Sequence, residues 1–305
     1  MAIASLHDLP APAKLNLFLR LVGRRADGYH LLESRMVFID WSDTLHVERR
    51  PGGALSRDDI GGGADGPLPA DDLVLRAARA LQQASGTQHG AHVVLEKRIP
   101  TGAGLGGGSS DAATALLALN RLWGLDWPLA RLLPLGLALG ADVPFFLGGR
   151  AADVSGIGER LAPVEVEPAW YAVLRPSVGL RTADVFRATA RIAGFSFDAP
   201  LPGSAVREGN DLEPAAFAVA RSGGEQASME QASELDRAFA LWREAFGAAR
   251  MTGSGSAIFA PVGGPDVSLP ALPAGWRARL CRSMAVHPLA GWSDQGMEDA
   301  DGKTG

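Results

Sequence analysis

A single cysteine, Cys281, in 305 residues leaves no partner for an intramolecular disulfide and no set of thiolates for a metal site. Histidine is sparse too: six, at positions 7, 30, 46, 89, 92 and 287, none at the spacing of a zinc motif. Positive charge falls short as well. Twenty-nine Lys and Arg stand against 34 Asp and Glu, a formal net charge of −5. Adjacent basic pairs such as Arg24–Arg25 and Arg49–Arg50 are too small to form the basic face that nucleic acid or an anionic membrane requires. Long apolar runs are missing: the best, "LNLFLRLV", is broken by Arg20, and none approaches the roughly 20 residues of a membrane span. No basic n-region opens the chain. A soluble, cytoplasmic protein without a nucleic-acid or membrane partner is expected.

What the chain does have is glycine, 38 residues of it, gathered most tightly in "PTGAGLGGGSSDAATALLALNRLWG" at 100–124. Ahead of that loop, "KLNLFLRLV" (14–22) alternates leucines with Lys14, Asn16, Phe18 and Arg20, which predicts a half-buried strand. Period two sets Lys14 and Asn16 on one face, about 7 Å apart. Asp27–Gly28 signals a turn, followed by two strands, "HLLESRMVFIDW" and "TLHVERR", divided at Ser42–Asp43. Residues 51–70, rich in Gly and Pro and without periodicity, read as a surface insertion. Asp71/Asp72 then cap a helix, "LVLRAARALQQAS", that Gly86 ends. "AHVVLEKRIP" is a strand leading into the glycine loop.

The helix after the loop is expected from Ser110 to Trp123, stopped by Gly124. "PLARLLPLGLALG" reads as a broken helix or helical hairpin, interrupted at Pro134 and Gly136. From about residue 154 a second set follows: strands "WYAVLRP" and "AIFAPV", helices near 182–191, 211–221 and 233–246, and a final strand near 277–286. Residues 221–233 read as a polar insertion and 289–305 as a disordered tail. The division is thus 1–153, 154–288 and the tail.

Strand, glycine loop, helix N-terminus is an arrangement for binding an anion. Glycines let the backbone approach a ligand, and the helix start adds unpaired N–H donors and a positive dipole end. A polyphosphate is the natural guest. No Gly-Lys-Ser/Thr closes the loop, so it is not a Walker A motif, and no acidic residue lies where a dinucleotide fingerprint places one. Ser109 and Ser110 supply a cap and hydroxyls at the helix start. Asp111 suits the dipole there and is read as structural, since it would repel a triphosphate unless turned away or bridged by Mg²⁺.

At these residues the chain resembles the GHMP kinases. "PTGAGLGGGSSDAA" is similar to their second motif with an extra pair of glycines, and "MTGSGSAIFA" (251–260) to their third. "PAKLNLFLRLVGRRADGYHLL" (12–32) and "GADVPFFLGG" (140–149) resemble the branch of the non-mevalonate isoprenoid pathway whose acceptor alcohol carries a cytidine diphosphate. The resemblance runs from Pro12 to Pro261 in the same order. It implies a two-domain α/β (α+β) fold, with a ribosomal-S5-like N-terminal domain, a C-terminal α/β domain and the active site in the cleft between them. It also implies transfer of phosphate from ATP, with Mg²⁺ of unassigned ligands, to a tertiary hydroxyl of a methylerythritol unit.

Carried over residue by residue, the resemblance makes Asp142 the base and Lys14 its electrostatic partner. Standing alone, Asp142 before Val–Pro would be read as a helix cap. Gly102, Gly104, Gly106, Gly107, Gly108, Ser109 and Ser110 form the phosphate loop, which Thr252, Gly253, Ser254 and Gly255 brace. Asn16 contacts the acceptor. Tyr29 stacks on the cytosine, His30 hydrogen-bonds it, and Phe186 is the second aromatic wall. Asp72 departs from the family pattern, standing where an Asn would help hold the adenine. Alternatives are a GHMP kinase for homoserine or mevalonate, which would have no use for a base slot at Tyr29–His30, and a non-catalytic nucleotide-binding homologue, which would lack the base or the lysine.

Overall fold

The computed structural model describes residues 3–60, 66, 68–190, 209–222 and 225–293. Two long strands, β1 (Ser5–Arg24) and β2 (His30–Arg50), lead to the short edge strand β3 (Leu55–Ile60), helix α1 (Leu73–Ser85) and β4 (Gly90–Glu96). Helices α2 (Gly107–Leu122), α3 (Leu129–Leu139) and α4 (Val143–Gly148) follow, then β5 (Ala152–Gly156), β6 (Arg160–Pro163) and β7 (Trp170–Arg175). The last part holds α5 (Thr182–Thr189), α6 (Glu213–Ala220), α7 (Glu225–Phe246), β8 (Arg250–Met251), β9 (Ile258–Val262) and β10 (Arg277–Met284). Hydrogen bonds order the strands β3-β4-β2-β10-β7-β9-β8, with β1 and β5 also on β2, and β6 on β5. β10 is the hinge of this order, reaching β2 through Ser283 and Met284 and β7 through Arg277–Arg282. β5 crosses the expected division at 153/154 and pairs with β2, so the first sheet extends to Pro163.

The expected half-buried strand at 14–22 is buried on both faces. β1 slips register on β2 between Pro12 and Ala13 and again between Asn16 and Phe18. Each bulge re-aims the residues that follow it. Ala13 and Leu15 consequently pack with Val37, Ile39 and Phe259, whereas Leu19 and Leu21 join the larger core beneath the helices. Lys14 and Asn16, between those two sets, are each only 2% exposed.

Several other expectations needed correction. β2 runs unbroken through Ser42–Asp43, because Asp43 is fully buried and satisfied by the backbone N–H groups of Arg98 (2.5 Å) and Ile99 (2.8 Å) and by the Lys97 ammonium. Within 51–70 a 3₁₀ turn and β3, parallel to β4, replace part of the expected loop. α3 is one continuous helix across Pro134, which lies on its exposed face. α7 begins at Glu225, inside the stretch taken as a polar insertion. Of the expected tail, Leu289 is buried and Arg121 stacks on Trp292, its guanidinium 4.9 Å from the ring centre; residues 294–305 lie outside the described residues.

Two helix starts frame the cleft. Asp72 caps α1, accepting the Leu75 N–H at 3.0 Å, and Gly86 ends it in a left-handed conformation (φ 69°). α2 starts at Gly107, three residues before the expected Ser110, and its cap is Gly106 at φ 75°. Ser109 and Ser110 are therefore inside the helix and do not cap it. α2 is buried nearly all round, with Ala112, Ala113, Leu116 and Leu119 inaccessible. A fully buried leucine contributes about 1.5–3 kcal/mol, which fixes this helix, and the loop that feeds it, against β1 and β2.

Candidate active site

β1, the glycine loop, the start of α4 and the turn after β8 converge on a cleft of about 930 Å³. Of the residues named from the sequence, Lys14, Asn16, Tyr29, His30, Gly102, Gly104, Gly106, Gly107, Gly108, Ser109, Asp142, Phe186, Gly253 and Ser254 line it. Ser110, Thr252 and Gly255 do not; they lie behind the wall, with Ser110 and Thr252 fully buried.

The Lys14 ammonium lies 3.7 Å from an Asp142 oxygen and donates to Asn16 Oδ1 at 2.5 Å. Asn16 is held in turn, its amide donating to Ser34 Oγ (2.8 Å) and its backbone N–H to Thr252 Oγ1 (2.9 Å). Burial lowers the Lys14 pKa, and the Asp142 carboxylate works against that fall. Asp142 stands at the start of α4 yet caps none of its amides, so the helix-cap reading fails. Its side chain is 35% exposed, towards the cleft that it lines.

The glycine loop is shaped by close approach. Gly104 (φ 74°) faces the turn after β8: a Cβ there would run into the Thr252 carbonyl oxygen and lie 2.9 Å from Gly255 N. A Cβ on Gly106 would lie 3.1 Å from Lys14 Cγ, and one on Gly253 3.0 Å from Lys14 Nζ. The Ala257 N–H donates to Ala103 O at 3.0 Å, and the Lys14 N–H to Leu105 O at 3.0 Å. Loop, lysine strand and β8 turn thus touch one another through backbone.

At the other end of the cleft, His30 lies against Phe186, ring centres 5.4 Å apart, and its Nε2 is 3.0 Å from Thr189 Oγ1. Burial, with Arg24 adding to it, lowers the His30 pKa, favouring the neutral ring. Tyr29 stands at the rim, 59% exposed.

Sequence reasoning missed Lys97, Asn210 and Arg57. Lys97 lines the cleft and donates to Asp111 Oδ2 at 2.7 Å while pairing with Asp43. Asp111 is therefore not a dipole partner of α2's first turn. Its burial raises its carboxyl well above the usual range, although Lys97 opposes the shift. The only signal was position: "EKR" runs directly into the loop. Arg57, on β3, pairs with the cap residue Asp72 at 2.6 Å. Asn210 ties the β8 turn to β1.

Known proteins share this arrangement and sequence. Residues 72–150 match the family described as GHMP kinases N terminal domain. Over 307 residues, 96% of this chain and all of the relative, the sequence is 50% identical to the 4-diphosphocytidyl-2-C-methyl-D-erythritol kinase of Methylibium petroleiphilum. It is 51% identical to the kinase of that name from Variovorax paradoxus, over 95% of this chain and 99% of the relative. A crystal structure of 4-(cytidine 5'-diphospho)-2C-methyl-D-erythritol kinase superposes with a TM-score of 0.72 at 37% identity, covering 90% of this chain and 98% of the other.

Proposed function

Since the chain belongs to the 4-diphosphocytidyl-2-C-methyl-D-erythritol kinases of the GHMP superfamily, we propose that Lys14 and Asp142 perform the phosphoryl transfer of that family in the cleft described. The protein is an ATP-dependent kinase that phosphorylates 4-diphosphocytidyl-2-C-methyl-D-erythritol, a step of the non-mevalonate route to isoprenoid precursors. It has the GHMP kinase fold of N-terminal and C-terminal α/β domains. The ribosomal-S5-like character of the first belongs to the proposal, as does a division between the two that falls after β6 and not at 153/154.

The loop Gly102–Gly108 and the N-terminus of α2 hold the triphosphate through backbone N–H groups and the helix dipole. The C2 hydroxyl of the acceptor approaches between Asp142 and the γ-phosphorus. Its oxygen bonds to phosphorus as the bond to the β-phosphate oxygen breaks, ADP leaves, and the hydroxyl proton passes to the Asp142 carboxylate. Lys14, held by Asn16, keeps that carboxylate ionised and neutralises charge on the transferring group. In a loose transition state the proton leaves late, so a lysine beside the base does not disable it.

Mg²⁺ is part of this reading as companion of the triphosphate. Among the described residues no three His, Cys, Asp or Glu converge on one point. The cleft instead offers the Asp142 carboxylate and the Ser109 hydroxyl near the loop, a donor set that fits a cation held chiefly by phosphate oxygens and water. Bound there, it would screen phosphate charge. The cytosine lies in the His30–Phe186 corner, with Thr189 orienting the histidine and Tyr29 closing over the base.

One observation carries the assignment: a carboxylate at a helix start that caps nothing and faces a buried lysine packed on the glycine loop. ADP release with Mg²⁺-ATP, measured in parallel on the cytidyl substrate, mevalonate, homoserine and galactose, tests it. Turnover with the cytidyl substrate alone is expected. Turnover with another alcohol instead would discard the base slot.

A further inference from the structure

Residues 209–211 lie along β1 between the lysine strand and the β8 turn. The Leu19 N–H donates to Gly209 O and the Asp211 N–H to Leu19 O, both at 2.9 Å. The Asp211 carboxylate accepts from the Leu21 N–H and from Arg20, again at 2.9 Å. Asn210 is thereby fixed to the strand that carries Lys14 and Asn16. Its side-chain amide donates to two carbonyls of the turn, Met251 O at 2.9 Å and Gly253 O at 2.7 Å, while its Oδ1 accepts the Leu212 N–H at 2.9 Å. Every polar atom of this buried side chain is satisfied, and only a primary amide offers two donors and an acceptor on one small group.

The turn that Asn210 holds is the wall against Lys14. At Gly253 the backbone leaves no room for a methyl group: a Cβ would lie 3.0 Å from Lys14 Nζ, 3.4 Å from Asn16 Oδ1 and 2.9 Å from Gly104 O. The turn is tied back to β1 by the Asn16 N–H on Thr252 Oγ1. The circuit closes from β1 through the backbone bonds of Leu19 to residues 209–211 and through Asn210 to the turn, and through Thr252 and Asn16 to β1 again. Lys14 and the phosphate loop sit inside it.

We propose that Asn210 is a positioning residue for phosphoryl transfer, holding the Met251–Gly253 carbonyls at the spacing from β1 that keeps the Lys14 ammonium beside Asp142. The proposal rests on the roles given above to Lys14 and Asp142. Asn210→Asp preserves shape but turns both donors into acceptors facing two carbonyl oxygens, which pushes the turn away and frees the ammonium.

The test compares full-length Asn210→Asp, Asn210→Ala, Asp211→Asn and Lys14→Ala for kcat, for KM of ATP and of the cytidyl substrate, and for the urea midpoint. Asn210→Asp should lower kcat by about 10²-fold, the scale of a 1 Å misplacement. Both KM values should stay within about threefold, as for a contact that matters only in the transition state. Asp211→Asn loosens only the carboxylate's contacts with Leu21 and Arg20 and keeps both backbone bonds of the segment to Leu19; it should lower the midpoint and leave kcat within about threefold. If Asn210→Asp does not fold, Asn210→Ala is judged by the same criteria. A kcat close to wild type in the Asn210 variants, or an equal kcat loss in Asp211→Asn, overturns the inference. Lys14→Ala separates the two levels: retained turnover there removes the premise, whereas its loss beside unaffected Asn210 variants removes only the role of Asn210.

Discussion

Replacing Gly104 by alanine tests whether the glycine loop is shaped by contact with the β8 turn or by backbone freedom alone. Gly104 has φ 74°, and its missing Cβ would meet the Thr252 carbonyl oxygen and Gly255 N. Gly102 has φ 61° and nothing within 4 Å of its missing Cβ. Both substitutions place alanine in the left-handed region, at about 1–2 kcal/mol. Only Gly104→Ala adds a methyl group against packed backbone, at about 1–3 kcal/mol. The expected destabilisation is therefore about 1–2 kcal/mol for Gly102→Ala and about 2–5 kcal/mol for Gly104→Ala. Urea unfolding of the two variants and wild type, without nucleotide, gives the difference directly, because the backbone contribution cancels between them. The KM for ATP should also rise more in Gly104→Ala, since its loop must pull away from Thr252. Equal destabilisation by the two variants would refute the contact and leave only conformational preference.

Asp142→Asn should lower kcat by about 10²–10⁴-fold, the usual contribution of a positioned general base, while ATP still protects the protein against heat; near-normal turnover would remove Asp142 from the chemistry. Tyr29→Ala should weaken binding of the cytidyl substrate by about 1–3 kcal/mol, the scale of one base stacked on an aromatic ring, with the KM for ATP unchanged; an unaltered KM for the cytidyl substrate would deny the rim tyrosine its role. His287 is 2% exposed, with its ring edge on Phe38, and burial pushes its pKa down to about 4. A depressed pKa means that the neutral ring's stability is complete above the ordinary histidine value near 6.5 and is lost as pH falls towards 4. The loss should approach about 3 kcal/mol. Urea midpoints across this pH range should fall more steeply for wild type than for His287→Gln, and parallel curves would show that the ring is not kept neutral by burial.

Local chemistry made part of this molecule readable. Asp72 and Gly86 bound α1 because a carboxylate cap and a left-handed glycine are short-range devices. Lys14, Asp142 and the loop glycines reached one cleft as their motifs implied. What stayed hidden depends on partners distant in sequence. Ser42–Asp43 looks like a break in a strand, yet Asp43 is neutralised by Lys97, 54 residues away. Gly107 and Gly108 look like loop but open α2, and Gly107 is a glycine there because a Cβ would lie 3.0 Å from Ile99, eight residues back. The alternation in β1 predicts one exposed face and misses the bulges that bury both. Asn210 carries no motif of its own; its role exists only where Met251 and Gly253 come back to meet it.

Two departures from the family pattern, separate in the sequence, become one feature in space. Asp72 brings a carboxylate to the lining of the cleft, where the family pattern has an amide and where unopposed negative charge would disfavour a nucleotide. The segment 51–70, outside the resemblance, supplies β3, and β3 delivers Arg57 to Asp72 at 2.6 Å with its side chain only 6% exposed. Asp59, on the same strand, holds the guanidinium from its other end, Nη2 donating to Oδ2 at 2.9 Å. The same Asp72 Oδ1 that meets Arg57 accepts the Leu75 N–H, so Asp72 caps α1 while its charge is offset. An isolated Asp72→Asn exchange would restore the family amide and strand Arg57 beside a single carboxylate, and an isolated Arg57→Ala would leave the Asp72 charge without its guanidinium partner. Each residue is thus intelligible only with the other, and the strand that looked like an ornament of the surface is what lets an aspartate stand at that position.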